Sequence, residues 1–257
     1  MGLRKSKLLY YINFVWEFSR THFATKYKNS NLYFLWHIIN PLILFGVLYV
    51  IFSKNLGANI PYYPLFVLIG VVHWNFFNIG TSYGTATFSY YANIVKKTNT
   101  NRFLMLLSII FSCFYSHLIE LCILLCIAGF IVGLSWTLFM MLIVLLLEIL
   151  LILGLSLLIS SIASYVVDIE SVWKNIIFFG WFLTPIIYSQ NSIPSKLSFI
   201  IKINPEVYII DFSRDIIINK QLPPSIPLLL FSVAIIIFFI LSYWIFSKLI
   251  KNIAERI

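Results

Sequence analysis

Residues 137–163 read TLFMMLIVLLLEILLILGLSLLISSIA, an apolar run interrupted only by small hydroxyl residues, one glycine and a single acid, Glu148. A hydrocarbon core about 30 Å thick is crossed by about 20 helical residues at 1.5 Å rise each. The run exceeds that length and lacks the every-second-residue alternation of a barrel strand. Hydrocarbon offers no partner to exposed backbone N–H and C=O groups, so the stretch reads as a spanning helix.

Five further apolar runs flank it, at 35–53, 63–88, 103–132, 173–189 and 224–246. Composition agrees: 61% of the 257 residues are hydrophobic and 11% are charged, where a soluble domain carries about 25% charged residues. Mean hydropathy is +0.95. No polar stretch is long enough to build a soluble core. The expectation is an all-α integral membrane protein forming one transmembrane domain over 1–257. It would comprise an interfacial helix (1–34), spans one to five (35–189), an outer re-entrant segment (190–223), a sixth span (224–246) and a tail (247–257). The fifth run is short, and Pro185 should stop or kink its helix.

Basic residues orient these spans. With both termini cytoplasmic, only Lys54, Lys196, Lys202, Arg214 and Lys220 of the 18 Lys and Arg lie outside, which satisfies the positive-inside rule. The net charge of +9 is thereby explained by topology and anionic lipid. It calls for no nucleic-acid partner, and the expected location is a membrane crossed several times.

The first 34 residues do not read as a cleavable signal, because Asn13, Glu17, Arg20 and Lys28 recur through them as one helical stripe. Leu8, Ile12, Val15, Trp16, Phe23 and Tyr27 cover much of the remainder, as in a helix lying along the cytoplasmic interface. Such a helix is either an anchor or a dock for a cytoplasmic partner. Between spans five and six, Gln190 to Pro194 and Asn204-Pro205 are polar turns around apolar stretches too short to cross. Short helices dipping into the outer leaflet, and an outer gate, belong there.

Two acids fall inside spans, Glu120 in the third and Glu148 in the fourth, at similar depth on helices joined near Gly133–Trp136. A carboxylate in a bilayer is costly unless protonated or paired. They are either a relay or a neutral hydrogen-bonded pair, and His117, one turn before Glu120, is a local partner for it. Glu206, Asp211 and Asp215 read as a hydrated helix face. The histidines His22, His37, His73 and His117 have no ligand spacing, and Cys113, Cys122 and Cys126 read as packing or lipid-facing residues. No metal is expected. A phosphate-cradling G-x-x-x-x-G-K-[ST] loop, a G-x-S-x-G elbow and an H-E-x-x-H pair are all missing from the sequence. The chain is therefore not expected to be an enzyme by itself. Aromatic residues make up 18% of it; they suit either interfacial belts or a path on which the C–H faces of sugars stack.

Several short motifs then follow in a definite order: Lys26-Tyr27-Lys28-Asn29-Ser30 with Leu32, Trp36 and Pro41; Asp168-Ile169; Phe182-Leu183-Thr184-Pro185-Ile186-Ile187-Tyr188; Ile193-Pro194; Asn204-Pro205; Arg214; Phe246-Ser247-Lys248-Leu249; and Ala254-Glu255. In this order the chain resembles the membrane subunit of ABC-2-type exporters of polysaccharides and polyol phosphates, which move O-antigen, capsule or teichoic acid. The resemblance covers nearly the whole chain. It departs at Asn29 and Tyr33, where the family has glycine, and at Val167, where it has arginine.

The resemblance implies a homodimer with two copies of a separate ATPase that binds the ATP and Mg; no cofactor is expected in this chain. It implies an ATPase-coupling interface at Trp16, Phe23, Tyr27, Tyr91, Asn93, Lys96 and Lys97. The substrate entrance would be at Lys26, Lys28, Ser30 and Trp36. The path and gate would involve Phe45, Tyr49, Phe178, Trp181, Phe182, Thr184, Pro185, Tyr188, Asn204 and Pro205. The cargo would be a glycan on a polyprenyl pyrophosphate lipid. The competing expectations are a drug or small-molecule exporter of the same type, a proton-coupled transporter using Glu120 and Glu148, and, lower, a membrane-embedded transferase.

Overall fold

The computed structural model describes residues 2–27, 39, 42, 43, 45–47, 50, 60–97, 100–166, 168–190 and 198–250. Every regular element among them is helical. In chain order these are α1 (Gly2–Tyr27), α2 (Tyr63–Tyr90), α3 (Ala92–Lys97), α4 (Arg102–Ile131), α5 (Met141–Ala163), α6 (Ile169–Leu183), α7 (Ser198–Ile203), α8 (Pro205–Arg214) and α9 (Ser225–Leu249). A 3₁₀ turn, Trp136–Met140, leads into α5, and a wide π turn, Asp215–Asn219, follows α8.

Four helices are long and apolar enough to cross a membrane: α2, α4, α9, and α5 together with its leading turn. They agree with the second, third, fourth and sixth expected spans. The expected first span lies mostly outside the described residues. The fifth differs from expectation: α6 starts earlier, at Ile169, and stops at Leu183, giving 15 residues or about 22 Å. It ends there because residue 185 is proline, which forces Thr184 into extended backbone (φ −92°, ψ 131°).

Local sequence sets the other boundaries. Asn101 caps α4 by accepting from the N–H groups of Phe103 and Leu104. At the far end the N–H groups of Val132 and Gly133 both return to the Ala128 carbonyl. Gly133 turns the chain at φ +75°, a conformation a side chain would resist.

The central helix is α2, packed against α4, α5, α6 and α8. Leu65, Val67, Leu68, Ile69 and Val72 on it are fully buried. Its approach to α5 is closest at Gly80 and Gly84, two small residues one turn apart. A Cβ on Gly84 would lie 2.5 Å from Ser156 Cβ, and one on Gly80 2.8 Å from Ile152 Cγ2. Between apolar spans, contact of this kind rather than water exclusion holds helices together. By contrast α9 leans mainly on α5, touching α2 and α4 only near its end through Phe246 on Phe88 and Tyr243 on Phe103, and leaves Ile226, Leu229, Leu230, Val233, Ile237 and Ile240 outward.

Helix α1 lies along α4. The face it turns inward carries Phe14, Phe18, Ser19 and His22: Ser19 Oγ is 3.1 Å from the Tyr115 hydroxyl and His22 Nδ1 2.9 Å from Ser112 Oγ. Leu8, Leu9, Tyr10, Tyr11, Ile12 and Trp16 stay exposed.

Candidate functional site

Three places on this scaffold bring polar chemistry together. The first is at the end of α6. Asn204 caps α8 by accepting from the Glu206 N–H (3.1 Å), while its amide donates to Thr184 Oγ1 at 2.7 Å. Thr184 Oγ1 in turn donates to the Gly180 carbonyl at 2.8 Å. Tyr63 donates to the Ile187 carbonyl at 2.9 Å, and Tyr188 to that of Phe182 at 2.8 Å. Arg214 completes the arrangement. Its Nη2 reaches the carbonyls of Pro185 (2.9 Å), Ile186 (3.0 Å) and Phe66 (3.2 Å), its Nη1 meets Asp211 Oδ1 at 3.3 Å, and its guanidinium stands 3.4 Å over the Phe66 ring. Gln190 also donates to Asp211. A turn whose own carbonyls cannot pair within a helix is thus paired by side chains from α8, as buried carbonyls require.

Of the ten residues expected on the path and gate, Thr184, Pro185, Tyr188 and Asn204 belong to this turn, with Pro205 opening α8 beside them. Arg214, met only as part of a motif, is the residue that fastens them. The hydrated face expected for Glu206, Asp211 and Asp215 holds only in part, since Glu206 is fully buried with neither oxygen hydrogen-bonded. It is buried because α8 packs against both α2 and α5.

The second place lies within the bundle. Glu148 on α5 accepts from or shares a proton with His73 Nδ1 on α2 at 2.8 Å, and its Oε2 is 3.9 Å from His117 Nε2 on α4. All three side chains are buried, and the two imidazoles lie 5.5 Å apart between ring centres. His117, expected beside Glu120, thus turns toward Glu148, stacking on Phe76 at 4.4 Å on the way. Glu120 is buried too. Histidines 44 positions apart on different helices carry no spacing signal, which is why the cluster is not legible along the chain.

The third is on the face of α2 toward the termini. A cleft of about 230 Å³ between α1, α2 and α4 is lined by His22, Thr25, Tyr83, Thr87, Tyr90 and Tyr91. Burial pushes the Tyr91 hydroxyl up to about 12, with Tyr90 and Tyr83 adding to it. Phe18 and His22 of α1 pack on the Tyr91 ring at 5.2 and 6.2 Å, and Phe23 and Trp16 on that of Tyr115. Nearby, α3 presents Asn93, Lys96 and Lys97 to solvent. The residues expected at an ATPase-coupling interface, Trp16, Phe23, Tyr91, Asn93, Lys96 and Lys97, lie on α1, α3 and the turn joining α2 to α3. The side chains of Lys26 and Tyr27, and all of Lys28, Asn29, Ser30, Tyr33, Trp36, Tyr49 and Val167, lie outside the described residues; Phe45 packs against the core.

Along α6, Phe178, Phe179 and Phe182 are exposed and Trp181 half-buried. A cleft of about 220 Å³ between α6 and α2 is lined by Trp74, Asn75, Asn78, Phe178, Trp181 and Phe182. Ring faces beside amides are the lining that a sugar's C–H faces and hydroxyls match.

Long apolar helices, a buried polar cluster among them and a clasped turn at one end define a multi-pass membrane protein. The sequence profile described as ABC-2 type transporter matches residues 14–218, and the chain belongs to that family. It is 29% identical over 234 residues to an O-antigen export system permease protein RfbA of Klebsiella pneumoniae, covering 90% of this chain and 89% of that one. A second protein of the same name and organism is 28% identical over the same length, and one from Myxococcus xanthus is 22% identical over 235 residues. As a member of this family the chain is the membrane subunit of a transporter, and the family implies an ABC ATPase as its partner.

Proposed function

We propose that the protein is the membrane-spanning half of an ATP-driven exporter of lipid-linked polysaccharide, O-antigen in type, with capsule or teichoic acid as the related cargoes. The observation that carries this reading is the match along 90% of the chain to permeases named for O-antigen export. Two copies pair, each with one copy of a separate ATPase that binds ATP and Mg, and this chain holds no cofactor of its own. Both termini are cytoplasmic. The chain is one transmembrane domain of six spans, the first near 35–53, with the short helices α7 and α8 forming a re-entrant outer segment.

The parts then divide as follows. The ATPase docks on α1 and α3, through Trp16, Phe23, Tyr27, Tyr91, Asn93, Lys96 and Lys97. Closure of the ATPase pair pushes on these elements, and α1 transmits the movement to α4, on which it lies. The lipid pyrophosphate enters beside Lys26, Lys28, Ser30 and Trp36, where ammonium groups meet phosphate oxygens. Sugars pass along an aromatic path formed by Phe45 and Tyr49 of the first span and by Phe178, Trp181 and Phe182 of α6. The clasp of Thr184, Pro185, Tyr188, Asn204 and Pro205 closes the outer end.

Reconstitution with the ATPase in proteoliposomes tests the reading. A polyprenyl-pyrophosphate-linked glycan should stimulate ATP hydrolysis, and Lys26→Glu with Lys28→Glu should reduce that stimulation about tenfold or more, as loss of charge-assisted contacts to a phosphate predicts. An unchanged response in the double variant refutes the entrance; stimulation by amphipathic drugs and not by the glycan refutes the cargo. Transport that persists without ATPase but fails in Glu120→Gln with Glu148→Gln would instead establish a proton-coupled carrier.

A further inference from the structure

The His73–His117–Glu148 cluster has no part in the transport cycle just described, and its polar atoms are badly served. His73 Nε2 and Glu148 Oε1 are buried without a hydrogen-bond partner among the described residues, and the His117 ring nitrogens meet only the Val72 backbone and, at 3.9 Å, Glu148 Oε2. A buried polar atom that nothing meets is unfavourable, because it has given up its water without replacement. Two imidazoles and a carboxylate converging from three helices in a buried space mark a place where something binds.

We propose that these three side chains hold a divalent transition-metal ion, zinc by ligand preference, inside the membrane domain. Two imidazoles and a carboxylate are a donor set that zinc takes and that magnesium and calcium, which want oxygen alone, do not. The geometry suits it. One ligand atom from each residue lies within 4.8 Å of the others. Glu148 Oε2 stands 2.8 Å from His73 Nδ1 and 3.9 Å from His117 Nε2. Two ligands bound at 2.0–2.1 Å to a tetrahedral ion sit about 3.3 Å apart, between those two separations. Small side-chain rotations suffice.

Charge balance supports a dication. Arg214 is also near enough to His73 to interact with it, but it is already matched by Asp211 and by three carbonyls. That leaves Glu148 and Glu206, which lie within electrostatic reach of each other and whose remaining oxygens are unbonded. Two carboxylates and one dication sum to zero, the state a low-dielectric interior favours. The ion would join α2, α4 and α5 directly.

The test uses the full-length chain in nanodiscs with purification tags removed, stripped by chelator and then equilibrated with buffered Zn²⁺ or Co²⁺. Expected is about one metal per chain, a Co²⁺ visible spectrum of tetrahedral intensity without thiolate charge transfer, and a rise in thermal midpoint on Zn²⁺ addition. His117→Ala and Glu148→Gln should each weaken binding by about 100-fold or more, because even second-sphere changes cost 10–100-fold; His22→Gln should bind as the unaltered protein does. Where those variants do not fold, the stoichiometry and Co²⁺ spectrum of the unaltered chain decide. Substoichiometric metal with no thermal shift would mean that water alone serves these atoms and overturns the proposal. A thiolate band from Cys113, Cys122 or Cys126, or undiminished binding in the variants, does so equally.

Discussion

Arg214 ties the turn after α6 to α2 and α8, because one planar guanidinium serves carbonyls from two separate segments and a carboxylate on its own helix. A lysine in its place offers a point charge and no fork. Arg214→Lys is expected to lower stability by about 1–3 kcal/mol, the cost of a buried carbonyl left unmet, read as a lower thermal midpoint of the detergent-solubilised protein. Asn204→Ala removes both a helix cap and the bond to Thr184, and should cost about 1–2 kcal/mol. Individual residues were the least legible part of this sequence. Thr184, Pro185 and Asn204 stood out because proline and asparagine punctuate a chain in recognisable ways, whereas the importance of Arg214 and Glu206 depends on α2 and α6, far away in sequence. Nothing in the spacing of His73, His117 and Glu148 announces that they meet.

Helices were read far better, since a span is a local property of length and hydropathy. Runs expected at 63–88, 103–132, 137–163 and 224–246 correspond to α2, α4, α5 with its leading turn, and α9 within a few residues. The run at 173–189 was misplaced at both ends: hydropathy ignores the polar start of α6 at Ile169 and runs on past Thr184, where backbone sterics stop the helix. How helices pair was not legible from hydropathy at all, because it turns on small residues. Gly80 and Gly84 sit where α2 and α5 touch most closely. Gly84→Leu should therefore prevent the two helices from packing and leave little folded protein in the membrane, visible as loss of a monodisperse peak in size-exclusion chromatography. Tyr83→Phe, a neighbour that keeps the backbone contact, should not.

A single chain leaves an aromatic ridge on α6 uncovered, with Phe178, Phe179 and Phe182 outward. In the proposed dimer this ridge borders the path between two copies. With the native cysteines replaced by serine, Phe178→Cys is expected to cross-link two chains in membranes under mild oxidation; monomer alone at every oxidant concentration would place α6 against lipid instead. The membrane class and the family could be read from the sequence because both are written along its whole length, whereas pairing of copies depends on faces that only the folded chain defines. The bonds from Asn204 and Arg214 to the turn after α6 also bear on how the molecule can move. Because they bind helix end, turn and α8 into one mechanical piece, a swing of α6 must carry α8 with it, so that in the proposed transport cycle this end would open as a hinged flap and not by local unravelling.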